Sequence, residues 1–282
     1  MQQVGMVGMG LLGAAIAHRL RLGGFAVAGY DPDATRHGAV DRVCGSLDEL
    51  VESVEALVVC LPDSTVTAGM VGRLARPGLL VLDATTGSPA EMASFGEELA
   101  LAGTEYLDCT VAASSKQVRQ GEAMVLAGGT AEGFERAGAV LVTFAERMFH
   151  TGGWGAGARM KLVVNLALGL QRAVLGEALG FASACGIDEG LALEVLKASP
   201  AYAKAMDVKG ARMLERRYGD PDARLRQHHK DVRLILAEPA EARLPLTKLH
   251  EELLAEAERM GYAEEDNSAI REVFRRGHLA VT

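Results

Sequence analysis

The sequence lacks the features that mark several common classes of protein. Its formal net charge is -8, so the surface as a whole does not attract nucleic acid or an acidic membrane, although a local basic pocket for an anion is compatible with it. No uninterrupted apolar run reaches the roughly 18 residues of a membrane span. The N-terminus has neither a basic segment nor a signal-cleavage pattern, which predicts a cytoplasmic protein.

Signatures of disulfide and metal sites are also lacking. The four cysteines show no C-x-x-C spacing, and two of them, Cys60 and Cys109, lie in apolar strand-like runs where we expect buried thiols. The seven histidines contain no H-E-x-x-H pattern. His228 and His229 are adjacent, and adjacent side chains on a helix point about 100° apart, which is poor geometry for chelation. The sequence therefore predicts no metal site.

The first 150 or so residues alternate between strand-like and helical patterns. This alternation is typical of an α/β fold with a doubly wound, largely parallel sheet. The last two or three strands follow one another closely, so antiparallel pairs are expected among them. We expect strands at 3–8, 25–30, 55–61, 79–84, 105–111, 123–127 and 147–150, and helices at 11–22, 47–54, 65–75, 89–101 and 131–142.

The rest of the chain contains helical patterns alone. The glycine-rich stretch 152–157 separates the two halves, which predicts a dinucleotide-binding domain at 1–155 and an all-α domain for substrate and oligomerisation at 156–282. A long helix joins them, and it is apolar on nearly all sides, so we expect it to be buried all round. The helices are expected near 156–185, 188–198, 201–217, 225–237, 246–260 and 266–276, with Gly186, Pro200, Pro221, Pro239 and Pro245 as separators.

A G-x-G-x-x-G motif lies between the first strand and the first helix. Gly8 permits a tight turn, Gly10 lets the backbone approach a pyrophosphate, and Gly13 lets helix and strand pack closely. The N–H groups at the start of the helix would bind phosphate. The alternative is an ordinary glycine-rich turn. The residues expected at the dinucleotide are Gly8, Met9, Gly10, Leu11, Leu12 and Gly13.

Asp31 ends the second strand, about 20 residues after the glycines. A carboxylate there can bind both ribose hydroxyls and would repel a 2′-phosphate, so NAD is favoured over NADP. Arg36 is near enough to favour NADP instead, and Asp31-Pro32-Asp33 could be only a turn with a helix cap.

Two further segments end strands on the expected ligand side of the sheet. Leu61-Pro62-Asp63-Ser64 and Asp83–Pro89 follow apolar strands, and ligands bind at the carboxyl ends of such strands. We expect Leu61 and Pro62 to contact the cofactor and Thr86 to donate its hydroxyl to the nicotinamide ribose. Both segments could equally be helix caps.

Lys161 and Asn165 are polar residues in an apolar helix. With Gly157 and Gly169 they are spaced by four, so they lie on one ridge. A desolvated lysine has a lowered pKa, which suits proton transfer near neutral pH. The alternative is a lysine whose amino group reaches solvent from the first turns of the helix.

The chain resembles the β-hydroxyacid dehydrogenases, the 3-hydroxyisobutyrate dehydrogenase family, over its whole length. Four motifs carry the resemblance: the glycine motif at 4–13, G-x-x-G-x-G-x-x-x-K-x-x-x-N at 152–165, the Lys230-Asp231 pair, and D-x-S-A at 266–269. It implies a Rossmann-type domain and a C-terminal domain like that of 6-phosphogluconate dehydrogenase. It also implies that Lys161 is catalytic, that Asn165 positions the substrate, and that Lys230 contacts the cofactor.

The chain departs from the family's substrate motif, D-A-P-V-S-G-G. The family serine, which binds the substrate carboxylate, is replaced by Ala112, and the two glycines are replaced by Ala113 and Ser114. Backbone N–H groups at 113–114 could bind an oxyanion, and Ser114 or Ser115 could supply the hydroxyl. Just after this motif, where a glycine is expected, this chain has Gln117. The carboxylate pocket is therefore remodelled.

These observations predict an NAD(P)-dependent oxidoreductase of a small 3-hydroxy acid, with Lys161 as general acid/base, in a homodimer or homotetramer. Two alternatives stay open. One is a related reductase for a different substrate, such as an imine or a phosphorylated sugar acid, although imine-reducing relatives lack the lysine. The other is a non-catalytic NAD-binding sensor, which would have no use for Lys161 and Asn165.

Overall fold

The computed structural model describes residues 2–238 and 241–275. The chain divides into two compact units, one ending at Lys161 and the other beginning at Leu162. Each unit is described by itself. The division falls inside the long helix rather than before it.

The first unit is built on an eight-stranded sheet of order β3-β2-β1-β4-β5-β6-β7-β8. Neighbouring strands are parallel except for β6 and β7, which pair antiparallel, as expected for strands so close in sequence. The strands are β1 (Gln3–Val7), β2 (Ala26–Tyr30), β3 (Arg42–Val43), β4 (Ala56–Val59), β5 (Leu80–Asp83), β6 (Glu105–Val111), β7 (Ala123–Gly128) and β8 (Ala145–Gly152).

Helices cover both faces of this sheet. Alternate side chains of a strand enter different hydrophobic clusters, Val58 and Leu82 on one face and Val59 and Val81 on the other. The helices are α1 (Leu11–Leu22), α2 (Leu47–Ser53), α3 (Ser64–Ala68), α4 (Pro89–Leu101), α5 (Ser115–Gln120) and α6 (Ala131–Leu141), with 3₁₀-helices at Ala34–Ala39 and Val71–Leu74.

The predicted α/β class is confirmed, and three short elements were missed. The sequence patterns do not predict β3, α5 or the 3₁₀-helix at Ala34–Ala39. The strand order turns back between β1 and β4, because β2 lies on one side of β1 and β4 on the other. In open α/β sheets this switch point, at the carboxyl ends of the strands, is where ligands bind.

The long helix α7 (Ala156–Ala184) belongs to both units. The prediction that it is buried all round is wrong, because Val163, Val174 and Phe181 are 58%, 62% and 71% exposed. By length and composition it could cross a membrane, with a mean hydropathy of 1.4 over an 18-residue window that is 39% buried. The core helix of a water-soluble protein meets the same criteria, so this is weak support for a membrane location.

The second unit is helical in its described part. Its core contains Leu175, Leu179, Met213, Leu225 and Val232. The predicted separator Pro239 and the predicted helix end at 276 lie outside the described residues. After α7 come α8 (Glu189–Ala198), α9 (Lys204–Glu215), α10 (Leu225–Ala237), α11 (Pro245–Ala257), a π-helical turn (Glu258–Tyr262) and a 3₁₀-helix (Asn267–Phe274).

Candidate active site

The three glycines after β1 have three different roles in the backbone. Gly8 has a φ of +82°, which favours glycine, and a Cβ there would collide with the Cys60 carbonyl. A Cβ on Gly13 would collide with the Gly8 carbonyl, so Gly13 is required for close packing of helix on strand. A Cβ on Gly10 would meet no atom within 4 Å. The space in front of Gly10 is therefore open to a ligand.

The N-terminus of α1 fits a phosphate group. Gly10 is its N-cap and has no side chain to satisfy the first N–H groups, and no acidic residue lies in the first turn. Leu11 is 85% exposed at this end. An uncapped helix N-terminus with a glycine in front is a favourable site for an anion.

Asp31 faces this glycine loop from the end of β2. Its side chain is 5% exposed and accepts hydrogen bonds from the backbone N–H groups of Met9 at 2.7 Å and Asp33 at 2.9 Å. Arg36 lies 3.6 Å from Asp31 and 3.0 Å from Asp33. Asp31 is therefore hydrogen-bonded to the glycine motif, and Arg36 is paired with the carboxylates of Asp31 and Asp33.

The loops after β4 and β5 are joined by hydrogen bonds at the same edge of the sheet. Leu61 N–H donates to Thr85 Oγ1 at 3.1 Å, and Ser88 N–H donates to Ser64 Oγ at 2.9 Å. Asp63 is the N-cap of α3, so the cap interpretation holds for this residue. The segments around Leu61 and Thr86 therefore line one edge, as predicted.

Asp108 on β6 caps α7. Its carboxylate accepts hydrogen bonds from the N–H groups of Gly155 at 2.8 Å and Ala158 at 2.7 Å. Burial raises the pKa of Asp108 to about 6, against the effect of these two hydrogen bonds. The sequence pattern around Asp108 predicts no such role. Its capping role depends on the pairing of distant segments, which sequence spacing does not reveal.

The second glycine motif packs the start of α7 against the sheet. A Cβ on Gly157 would collide with the backbone carbonyls of Asp108 and Leu126, and Gly155 has a φ of +80°. Thr110 Oγ1 donates to the Gly157 carbonyl at 3.0 Å. These glycines therefore fix where the turns carrying Lys161 begin.

The remodelled segment at 112–114 ends in a helix cap. Ser114 is the N-cap of α5 and forms a capping box with Gln117, whose Oε1 accepts from both the Ser114 N–H and the Ser114 hydroxyl. The two departures from the family pattern, Ser114 and Gln117, are thus partners. The Ala112 N–H donates to the Met124 carbonyl at 2.8 Å. The Ser114 N–H and hydroxyl, which were expected to be available to an anion, are used inside the protein.

Lys161 and Asn165 lie on one ridge, because α7 is continuous through both. Lys161 is half-buried rather than buried. Asn165 is 9% exposed, and its Nδ2 donates to Asp231 Oδ2 at 2.9 Å. Lys230 Nζ lies 4.0 Å from Asp231 Oδ1. Asp231, the second residue of the Lys230-Asp231 motif, thus holds the amide of Asn165, which is predicted to position the substrate.

Two histidines cover the next position on the ridge. His228 Nε2 and His250 Nε2 are hydrogen-bonded at 3.0 Å, and both rings lie where a side chain on Gly169 would be. Burial lowers the pKa of His228 well below its ordinary value and that of His250 to about 4, so both are neutral at pH 7. His229 points elsewhere, to Glu251, which agrees with the predicted divergence of the two neighbouring histidines.

The D-x-S-A motif stabilises the helical unit. Asp266 is fully buried and accepts hydrogen bonds from Lys209 Nζ at 2.8 Å and from the Ser268 hydroxyl at 2.6 Å. These bonds lower the pKa of Asp266 against the opposing effect of burial. Within residues 2–238 and 241–275, no three His, Cys, Asp or Glu side chains are grouped as metal ligands.

Comparison with known families gives two matches that together span most of the chain. A model described as the NAD binding domain of 6-phosphogluconate dehydrogenase matches residues 3–152. A second, described as the NAD-binding of NADP-dependent 3-hydroxyisobutyrate dehydrogenase, matches residues 155–274.

Individual relatives match over nearly their full length. The chain is 26% identical to 2-(hydroxymethyl)glutarate dehydrogenase of Eubacterium barkeri, over 96% of this chain and 94% of that protein. It is 26% identical to 2-hydroxy-3-oxopropionate reductase of Escherichia coli K12, over 95% of each. The structure of Mycobacterium tuberculosis 3-hydroxyisobutyrate dehydrogenase with L-serine is 23% identical, covers 98% of this chain and 99% of its own, and has a TM-score of 0.89. That structure has the same fold.

Proposed function

Because the chain belongs to the 3-hydroxyisobutyrate dehydrogenase family of β-hydroxyacid dehydrogenases, we propose that it interconverts a small 3-hydroxy acid and its semialdehyde or keto form. It is an NAD(P)-dependent oxidoreductase acting on CH–OH groups. The substrates in its relatives' names, 2-(hydroxymethyl)glutarate and 2-hydroxy-3-oxopropionate, are acids with a hydroxyl or carbonyl group close to the carboxylate. We propose a substrate of the same kind here.

The observation that supports this proposal most directly is the hydrogen bond from Asn165 Nδ2 to Asp231. Because Asp231 accepts one of the two Nδ2 hydrogens and so fixes the orientation of the amide, the second Nδ2 hydrogen can be donated to the oxygen of the substrate hydroxyl, whose own proton is left for the general base. Lys161 lies one turn earlier on the same ridge. We assign to Lys161 the role of general base for the hydroxyl proton, and the same lysine returns the proton in the reverse direction.

The bound nicotinamide would supply hydride transfer to or from the carbinol carbon. The chain's residues hold the reactants and exchange the proton. Gly8–Gly13 and the N-terminus of α1 bind the pyrophosphate, and Thr86 donates its hydroxyl to the nicotinamide ribose. Leu61, Pro62 and Lys230 also contact the cofactor. Ala112–Ser114 face the substrate carboxylate. Within the described residues the backbone N–H of Ala113 donates no hydrogen bond, so this N–H is the donor of the segment that is available to the carboxylate.

We further propose that NAD is preferred to NADP. Asp31 is held beside Met9, where a 2′-phosphate would face its charge. The nearby Arg36 is paired with Asp31 and Asp33, so these three side chains carry a net negative charge. Titration of NADH and NADPH into the wild type and Asp31→Ser tests this. A clear preference of the wild type for NADPH would contradict it.

The deciding experiment measures NADH formation from a panel of 3-hydroxy acids by the wild type and Lys161→Ala. We expect the variant to lower kcat by roughly 10²–10⁴-fold while NADH affinity stays nearly unchanged. Arg159→Ala, which removes an exposed cation two residues earlier, is the matched control and should keep kcat. Near-wild-type turnover by Lys161→Ala would remove this lysine from the mechanism. Binding of NADH without turnover of any acid would favour the sensor alternative.

A homodimer or homotetramer is part of the proposal. Val163, Val174 and Phe181 are exposed apolar residues on one face of α7, because their spacings of 11 and 7 residues are close to whole turns. A contiguous apolar stripe of this kind favours contact with another copy of the chain. Light scattering of the wild type and Phe181→Glu tests it, and a monomeric wild type would contradict it.

We also propose a cytoplasmic location. All four cysteines are free, and Cys109 is buried, as predicted, whereas Cys60 is half-buried. Unpaired thiols are typical of a reducing compartment. Fractionation of cells that express the protein tests this, and recovery outside the cytoplasm would contradict it.

A further inference from the structure

Arg172 is a buried cation for which the described residues provide no hydrogen-bond or ion-pair partner. It lies on α7 and is 8% exposed. Within residues 2–238 and 241–275 its guanidinium makes no hydrogen bond and no ion pair, although a guanidinium has five N–H donors. Burial lowers the pKa of Arg172 to about 10, so it is still charged at pH 7. An isolated buried charge is costly, so such a group needs a reason to be retained.

The carboxylates nearest to Arg172 in charge also have other cationic partners. The two carboxylates that act on it electrostatically are Asp266 and Asp231. Asp266 is paired with Lys209 at 2.8 Å, and Asp231 has Lys230 at 4.0 Å. The remaining neighbours, His228 and His250, are neutral. Arg172 thus has unused N–H donors and no ion pair within the described residues, which suits the binding of an anion.

Arg172 lies on the same side of α7 as Asn165. The two residues are seven apart, so they are about 10.5 Å apart along the helix and nearly in line. Long side chains on a helix lean toward its N-terminus, which directs the Arg172 side chain toward Asn165. Gly169 lies between them, and the rings of His228 and His250 occupy the place that a side chain there would take. Asn165, the two imidazoles and Arg172 therefore follow one another along one polar strip of the unit.

We propose that Arg172 binds a second acidic group of the substrate, so that the enzyme acts on 3-hydroxy acids whose side chain ends in a carboxylate. This rests on the proposed function, which puts the reacting hydroxyl at Asn165. A side chain of two methylenes and a carboxylate, together with an arginine side chain reaching back, spans about two helical turns. A carboxylate can accept two parallel N–H bonds from a guanidinium.

A matched pair of substrates isolates the second carboxylate. 3-Hydroxyisobutyrate and 2-(hydroxymethyl)glutarate share the hydroxymethyl group and the first carboxylate and differ in a methyl group or a carboxyethyl group. We expect the wild type to have a kcat/KM at least 10-fold higher for the dicarboxylic acid. Arg172→Met should lower that value by about 10- to 100-fold and leave the value for 3-hydroxyisobutyrate within about two-fold. Arg172→Lys keeps the charge and should lose less.

A binding measurement without turnover gives a second readout. Glutarate should raise the Tm of the wild type more than butyrate does, and Arg172→Met should abolish the difference. Without ligand, the Tm of Arg172→Met should equal or exceed that of the wild type, because the variant removes an unpaired buried charge. This would also establish that the variant folds. Should it fail to fold, the same comparisons with Arg172→Lys and Arg172→Gln decide.

The outcomes separate the two proposals. Equal loss of activity toward both acids in Arg172→Met would mean that Arg172 acts through Asp231 and Asn165, and it would overturn the second-carboxylate site. Equal kcat/KM of the wild type for both acids would overturn it as well. If the wild type oxidises neither acid, the proposed function fails for these substrates, and the glutarate measurement still tests Arg172.

Discussion

Asp108 Oδ2 accepts a hydrogen bond from the backbone N–H of Ala158 at 2.7 Å. The bond joins a strand in the sheet to the first turn of α7, three residues before Lys161. A carboxylate at a helix N-terminus also interacts favourably with the helix dipole. Burial nevertheless raises the pKa of Asp108 to about 6, because the site excludes water. One side chain therefore couples the position of α7 to protonation near neutral pH.

Stability should depend on pH through Asp108. Its pKa is about 6 in the fold against 3.8 for the ordinary side chain, so the folded state binds a proton more tightly than the unfolded state does. The free energy of unfolding from this group should therefore increase as the pH falls from above 6 to below 3.8, by about 3 kcal/mol at most. Urea unfolding of the wild type and Asp108→Asn, compared across this range, measures it.

Asp108→Asn is the reference because asparagine cannot titrate. Other carboxylates contribute equally to both proteins, so the difference between their unfolding free energies isolates Asp108. That difference should change in favour of the wild type as the pH is lowered. A difference that is constant between pH 4 and 7 would show that the pKa of Asp108 is not raised.

The glycines at 8–13 should separate cofactor binding from folding. Gly10→Ala adds a methyl group to open space, so we expect unchanged Tm without cofactor and at least about 10-fold weaker NADH binding, because the methyl group lies where the pyrophosphate approaches. Gly13→Ala collides with the Gly8 carbonyl and should lower stability by about 1–3 kcal/mol. Thermal unfolding and NADH titration of both variants check this. Unchanged NADH binding by Gly10→Ala would place the cofactor elsewhere.

Asp231 should act by positioning Asn165. Asp231→Ala removes the acceptor of the Asn165 Nδ2 hydrogen bond and lets the amide turn, so kcat should fall by about 10-fold with little change in NADH affinity. Asp231→Asn still offers a carbonyl oxygen to Asn165 and should restore most of the activity. Steady-state kinetics of the two variants decide between roles. Equal loss in both would mean that the charge of Asp231, rather than its hydrogen bond, is required.

The sequence predicts the parts of this fold that depend on local pattern. Strands such as β5 are continuous apolar runs, and the ridge of Lys161 and Asn165 follows from helical spacing alone. Capping by Asp108 and the contact of Asp231 with Asn165 could not be predicted in this way, because each joins residues about 50 or more positions apart. A polar residue on the inner face of an otherwise apolar helix was the available signal for Arg172.

For α7 the sequence pattern predicts more burial than the structure shows. An apolar helix was expected to be buried all round, yet Val163 and Phe181 are exposed in the single chain. An apolar helix face indicates that this face is removed from water in the functional protein. It does not indicate whether the same chain or another molecule covers the face. The same reasoning misses short elements such as β3, whose two residues are too few for a periodic pattern.

The last prediction concerns the residues that replace the family's serine and glycines. The hydroxyl of Ser114 is hydrogen-bonded within the capping box with Gln117, so Ser114 should not substitute for the serine that Ala112 replaces. Ala112→Ser should therefore lower the KM for 3-hydroxyisobutyrate by roughly 10-fold, the value of one hydrogen bond to a charged group. Ser114→Ala should leave KM unchanged and lower stability by about 0.5–2 kcal/mol through loss of the cap. If Ser114→Ala raises KM instead, its hydroxyl leaves the cap to bind the carboxylate. If neither variant changes KM for any acid, residues 112–114 contact a different chemical group, and the assignment to hydroxy acids fails.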